Sequence, residues 1–203
     1  MAACVAAGAI LTLVPAAASA QSNSSADTGS SAAAIAAAKA NCTAAAVTQP
    51  FAPFGDANWY ALAPGESYDN LSGSGWTLTG GAKIVTSTLY DGTRGSVLDL
   101  PGTGTAVSPP MCVTEQDPTA RAMVQNIAGA AGVDISVTYL GGSSVSTGNI
   151  KGSGGSWSLS RTVNIHPGNV SGWQLAQFTF IPHGNSSSEY RIYNFFVDPR
   201  MVS

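Results

Sequence analysis

Val133-Asp134-Ile135-Ser136-Val137-Thr138-Tyr139 places an apolar side chain at every second position and a short polar one between. That period of two marks a strand with one buried and one wet face. Gly141-Gly142 follows, and a glycine pair after a strand signals a turn, because it opens backbone conformations that side chains resist. The pattern repeats outward in both directions. Strands are predicted at Trp59–Leu62, Trp76–Ser87, Ser96–Leu100, Ala106–Val113, Arg121–Asn126, Val133–Leu140, Ser156–Ile165, Trp173–Ile181 and Tyr190–Val197. Pro64-Gly65, Gly80-Gly81, Asp91-Gly92, Gly154-Gly155, Pro167-Gly168 and Gly184-Asn185 supply most of the intervening turns. Trp157, Leu159, Val163 and Ile165 alternate, interrupted by Arg161. Only residues 120–131 offer a competing helix.

This spacing predicts an all-β fold, a two-sheet antiparallel β-sandwich of jelly-roll type. An immunoglobulin-like order fits less well. The separation of Cys42 from Cys112 is long for its inter-sheet bridge, and neither Trp59 nor Trp76 sits where that pattern puts its tryptophan. Both tryptophans are expected in the core.

Three segments divide the chain. Residues 1–20 contain no charged side chain, an apolar stretch from Val5 to Val14, and small residues at Ala18 and Ala20. They read as a signal peptide cleaved after Ala20, the apolar stretch being too short to span about 30 Å of hydrocarbon. Residues 21–40 are poor in large apolar side chains and read as a flexible Ala/Ser-rich spacer, with room for a short helix over the alanines. Residues 41–203 form the sandwich domain. The mature chain is therefore expected to be secreted, with no membrane span. Cys4 leaves with the signal, and Cys42 and Cys112 remain as an even pair. In an oxidising compartment that pair predicts one disulfide, worth about 3–4 kcal/mol in the chain-entropy account.

Charged residues make up only 9% of the chain, and the net charge is −3. Such a surface gives no electrostatic hold on nucleic acid or anionic lipid.

Phe54-Gly55-Asp56, the run from Trp59 to Tyr68, Gly75-Trp76-Thr77-Leu78-Thr79-Gly80-Gly81-Ala82, Ser108-Pro109-Pro110-Met111-Cys112-Val113 and Val197-Asp198-Pro199 occur in that order. Over residues 42–199 the chain resembles small secreted proteins of actinobacteria, related in pattern to jelly-roll carbohydrate-binding modules. The resemblance implies a fold and a compartment, and no particular activity. It also implies a structural calcium held by Asp residues from the first strands and near the last, for which Asp56, Asp69 and Asp198 are the matching positions. One departure weakens that site: Tyr193 and Asn194 stand where an acidic pair is common, and calcium prefers six to eight oxygens with carboxylate charge. The alternative for these Asp residues is turn capping. No other cofactor is implied.

Catalytic patterns are thin. No serine has glycine at both minus two and plus two, so the nucleophile-elbow pattern is absent. His166 and His183 each adjoin proline in expected turns, and nothing nominates the third ligand a metal site needs. The acids are scattered, so no carboxylate pair for glycoside hydrolysis stands out. Aromatic side chains are the better lead, since sugar C–H faces stack on flat rings while polar side chains read the hydroxyls. Trp157 and Trp173 flank loops, and Gln177, Arg161, Arg191 and Tyr193 are the polar partners expected around them. The leading expectation is a non-catalytic module binding a polysaccharide or cell-wall glycan. A structural or adhesive surface protein, and less strongly a hydrolase, are the alternatives. Exposed, coplanar Trp157 and Trp173 would favour the first, and burial the second.

Overall fold

The computed structural model describes residues 24–129, 132–167 and 172–198, with side chains from residue 32 onward. The expected signal segment lies outside the described residues. Helix α1 (Ser24–Ala40) is followed by β1 (Val47–Thr48), a 3-10 turn (Ala52–Phe54), β2 (Tyr60–Leu62), β3 (Glu66–Ser67), β4 (Asn70–Leu71), β5 (Thr77–Thr79), β6 (Lys83–Thr88), β7 (Arg94–Pro101) and β8 (Thr105–Val107). Next come β9 (Met111–Val113), β10 (Thr119–Ala128), β11 (Val133–Tyr139), β12 (Ser144–Ile150), β13 (Ser158–Leu159), β14 (Val163–Asn164), β15 (Gln174–Pro182) and β16 (Glu189–Asp198).

The strands form two sheets, as the alternation predicts. The larger sheet holds β1–β4, β6, β7, β10, β13, β14 and β16, and the smaller holds β5, β8, β9, β11, β12 and β15. Pairing is antiparallel throughout except where β4 meets β7 in parallel at Asn70 and Ser96. Successive strands β15 and β16 are central in opposite sheets, with β15 between β11 and β8 and β16 between β10 and β7. Their inward rings form the middle of the sandwich. Phe195 packs edge-on against Phe178 and Phe180, at 4.9 and 5.0 Å between centroids. Such edge-to-face pairs add to the stabilisation from burial alone.

A second, smaller core lies on the other side of the larger sheet. Phe51, Tyr60, Leu89, Val97, Met123, Trp157, Tyr193 and Phe196 pack together there. Phe51, which caps the start of the 3-10 turn, contributes a ring that meets Tyr60 and Phe196. The larger sheet is thus buried on both faces over part of its area. Residues Tyr190 to Val197 are nearly all buried.

One residue makes this double burial possible. Between Arg121 and Met123 of β10, strand β16 advances from Phe196 to Tyr193, one residue more than its partner. Asn194 sits in this bulge with φ +52°, a left-handed conformation that asparagine tolerates better than most residues. The extra residue resets the alternation. Ile192, Phe195 and Val197 join the main core, while Tyr193 and Phe196 turn to the outer one.

Helix α1 (Ser24–Ala40) covers the alanines, where the sequence left room for a short helix. Its end runs directly into the disulfide, with the Cys42 N–H donating to Lys39 O at 3.1 Å, so the Cys42–Cys112 bond ties it to β9. Several expectations are corrected. Three predicted strands are each split: Gly80-Gly81 separates β5 from β6, Pro109-Pro110 separates β8 from β9, and Ser160 to Thr162 separate β13 from β14. Where a helix could compete, Thr119–Ala128 form β10 instead. Strand β12, Ser-Val-Ser-Thr-Gly-Asn-Ile, lies outside the predicted strands, because its side chains are mostly small and polar. Trp76 packs on Phe180 at the core's edge, but Trp59 is 42% exposed. Tyr60 and Ala61 fill the outer and inner cores at that point of the chain, leaving Trp59 outside both.

Candidate functional site

Two hairpin turns meet at one end of the larger sheet. Tyr68-Asp69 joins β3 to β4, and Tyr90-Asp91 lies in the loop from β6 to β7. Their approach depends on Gly95 of β7, where a Cβ would overlap the Asp69 carbonyl and the Leu89 side chain. The result is a cleft of about 260 Å³ walled by Phe54, Tyr68 and Tyr90, with Asp69, Asp91 and Asn194 as polar groups and Tyr193 and Met123 among its lining. A more apolar depression of about 460 Å³ shares Pro50 and Tyr68 with it. Tyr68 and Tyr90 are 56% and 54% exposed. Both exposed rings border this one concavity.

The polar framework is fixed. Asp69 (φ +60°) and Asn194 are both left-handed and hold each other reciprocally. The Asp69 N–H donates to Asn194 Oδ1 at 2.9 Å, and Asn194 Nδ2 donates to Asp69 Oδ1 at 2.7 Å. Backbone strain of this kind costs about 1–3 kcal/mol per residue and concentrates at binding sites. Burial raises the Asp69 carboxyl above its ordinary range; the Asn194 amide opposes the rise, and the Asp91 charge adds to it. Asp91 is lowered, because the Thr93 hydroxyl and N–H both donate to it. Tyr90 is anchored from both sides, its ring tilted on Phe54 at 4.5 Å and its N–H donating to the Tyr193 hydroxyl at 3.4 Å. Burial pushes the Tyr193 hydroxyl well above its usual range, keeping it neutral.

Glu66, on β3 just before this turn, serves the bulge from its own side. The Phe195 N–H donates to its Oε2 at 3.3 Å. The residue as a whole is partly exposed, yet Oε1 is sealed from solvent without a hydrogen-bond partner. Burial pushes the carboxyl up to about 8, against the pull of the Phe195 and Asn194 N–H groups.

The ligand residues expected from sequence do not assemble. Trp157 is 9% exposed, stands edge-on to Tyr193 at 4.7 Å and donates Nε1–H to Thr88 O at 2.8 Å. Trp173 and Gln177 belong to the smaller sheet's side of the molecule, where Gln177 Nε2 donates to Ser108 O at 2.9 Å. Arg191 is bound to Asp99 through Nε at 3.2 Å. Arg161 is exposed in a separate groove beside β13. Only Tyr193 of that set lines the cleft. The signal that could have found the cleft is the Tyr-Asp pair, which occurs twice, each time beside Asn or Gly in a turn.

Nor do the three Asp residues fit one calcium. Asp56 is taken by Arg121 in a half-buried ion pair and accepts from the Tyr60 hydroxyl at 2.6 Å. Burial works to raise this carboxyl, but Tyr60, the Asn58 N–H and Arg121 together hold it below its ordinary value. Asp198 lies in the same neighbourhood and accepts from Thr119 at 3.3 Å. Asp69 is held by Asn194 elsewhere. Among the described residues, no three His, Cys, Asp or Glu side chains converge as a metal-binding group. His183 Nδ1 meets Asp134 Oδ2 at 2.8 Å on the surface.

Fold and cleft together define a disulfide-bonded two-sheet β-sandwich with an aromatic-walled cleft at one end. No family model and no curated protein matches the chain. Among solved structures it is similar to a family 6 carbohydrate-binding module, at 12% identity and TM-score 0.40 over 61% of this chain and 86% of that one. It is similar to the CBM22-1 xylan-binding domain of Paenibacillus barcinonensis Xyn10C, at 12% identity and TM-score 0.41, covering 64% and 88%. A third is TmCBM61 in complex with β-1,4-galactotriose, at 14% identity and TM-score 0.39, covering 62% and 89%.

Proposed function

We propose that this chain is an exported, non-catalytic glycan-binding module whose ligand lies against Tyr68 and Tyr90. The observation that carries the reading is the pairing of two exposed rings with fixed carboxylate and amide groups in one cleft. Rings of this kind offer flat apolar area at low entropic cost. Asp69 and Asp91 supply acceptors for sugar hydroxyls, and Asn194 holds Asp69 in place. Export rests on the charge-free apolar segment at residues 1–20 and on the Cys42–Cys112 disulfide. A polysaccharide or cell-wall glycan is the ligand class, since a shallow open cleft suits a chain of rings better than a small enclosed molecule.

Affinity electrophoresis against a panel of soluble polysaccharides, with pull-down on insoluble cell-wall material, tests this. At least one polymer should retard the protein, Tyr68→Ala and Tyr90→Ala should abolish the retardation, and Trp173→Ala should not. Retention that survives both tyrosine variants removes the cleft from the account. A surface protein without a small ligand is the second reading, favoured by the burial of Trp157, which takes away a ring the sequence offered to sugars. It predicts no retention on any polymer. Release of reducing ends that disappears in Asp69→Asn would make the chain a hydrolase.

A further inference from the structure

We infer that the groove beside β13 is a second binding site, for saccharides that carry carboxylates, of the uronic-acid type. The groove has a volume of about 550 Å³, and Lys151 and Arg161 are both among its lining residues. Both side chains are exposed, and neither takes part in the salt bridges of the described residues, whereas Lys83, Arg121 and Arg191 are each held by an aspartate. No carboxylate lines the groove. Asp134, which accepts from the lining residue Asn149 through Nδ2 at 2.8 Å, is already engaged by His183. In a chain of net charge −3, two cations sharing one concavity without a counter-charge form a local positive site.

The groove is built rather than incidental. Its loop is pinned to β10 by side chains: the Gly152 N–H donates to Asn126 Oδ1 at 3.1 Å, and Gln125 Nε2 donates to Gly155 O at 2.7 Å. Ser153 N–H donates to Ser158 Oγ at 2.9 Å across the groove's own wall. At Gly152 a Cβ would press on the Val124 carbonyl at 2.8 Å, so glycine is what lets the loop lie this close. A pinned loop loses little entropy when a ligand arrives.

Three features select the ligand. A guanidinium fork matches a carboxylate with two parallel hydrogen bonds, and an ammonium adds a point charge. Leu159 gives the groove apolar area for a ring's C–H face, and the Ser153 and Ser158 hydroxyls sit where sugar hydroxyls can be read. The volume falls within the range of about 300–1,000 Å³ typical of small-molecule sites, so a lone inorganic anion would leave most of it empty. The groove shares no lining residue with the Tyr68–Tyr90 cleft, and the inference stands without the reading given to that cleft.

Isothermal titration calorimetry of the full chain with trigalacturonate, xylotriose and sodium sulfate tests it. Trigalacturonate should bind, more weakly in high salt, and Lys151→Gln and Arg161→Gln should each weaken it about tenfold or more, the loss of a charge-assisted hydrogen bond. Arg161→Lys should fall between. Tyr68→Ala should leave this affinity unchanged, which separates the groove from the cleft. Both glutamine variants replace exposed side chains, and unchanged melting curves will show that they fold. Failure of trigalacturonate to bind overturns the inference, as does binding indifferent to both variants, equal affinity for xylotriose, or equal affinity for sulfate.

Discussion

Replacing Glu66 by glutamine should stabilise the protein above pH 8 and destabilise it by about 1–3 kcal/mol near pH 4. In the folded chain burial holds the proton on Glu66 up to about pH 8, whereas the unperturbed value is 4.5. Below 4.5 both states carry the neutral carboxyl, and the folded state keeps its full advantage. Between 4.5 and 8 the unfolded chain ionises first, and stability falls as pH rises through that window. Above 8 both are ionised and the loss is complete. Each pH unit between the folded and unfolded values is worth about 1.4 kcal/mol, so the ceiling on this loss is roughly 5 kcal/mol. Glutamine cannot ionise, and its carbonyl can still accept the Phe195 N–H. Its NH₂ then points where Oε1 now has no partner, at a cost of about 1–3 kcal/mol at every pH. The net gain at pH 9 is therefore about 2–4 kcal/mol. Urea denaturation from pH 4 to 9, followed by tryptophan fluorescence, measures the difference between the two proteins. Subtracting one curve from the other removes the contributions of Asp69 and Asp198. Parallel pH dependences in wild type and variant would refute the account of Glu66.

Gly95→Ala should separate the two hairpin turns, costing about 1–3 kcal/mol from overpacking and abolishing polysaccharide retention; thermal melting and affinity electrophoresis report the two effects. Trp157→Ala should cost about 3–5 kcal/mol, the range for deleting a large buried ring, measured by urea titration. Replacing Cys42 and Cys112 together by serine should cost about 4 kcal/mol, as expected for a bridge between residues 70 apart, read from the same titration.

The sequence carried the parts of the fold whose causes are local. Val133 to Tyr139 alternates because β11 has one face in the core, and the burial follows the pattern along most of the strand. Glycine and proline pairs marked the breaks between short strands, and two of them also split a single predicted strand into two. Strand β16 hid its faces, since a strand buried on both sides reads as a continuous apolar run. Its bulge at Asn194 has no local signature, because what selects it is Asp69, 125 residues away in sequence. The site failed to show for a related reason. Trp157 looked like a loop-flanking ring, but its Nε1–H finds Thr88 O across 69 residues, and that partner decides its burial. Tyr68 and Tyr90 were legible as aromatic residues in turns. Their convergence was not, since it depends on the packing of two hairpins that only the folded sheet brings together.

Amide chemical-shift mapping by two-dimensional NMR, with a neutral oligosaccharide from the polymer that retards the protein, tests the cleft most directly. Shifts concentrated at Tyr68, Asp69, Tyr90, Asp91 and Asn194 are the predicted result. Shifts confined to the smaller sheet, or an unperturbed spectrum at saturating ligand, would contradict it.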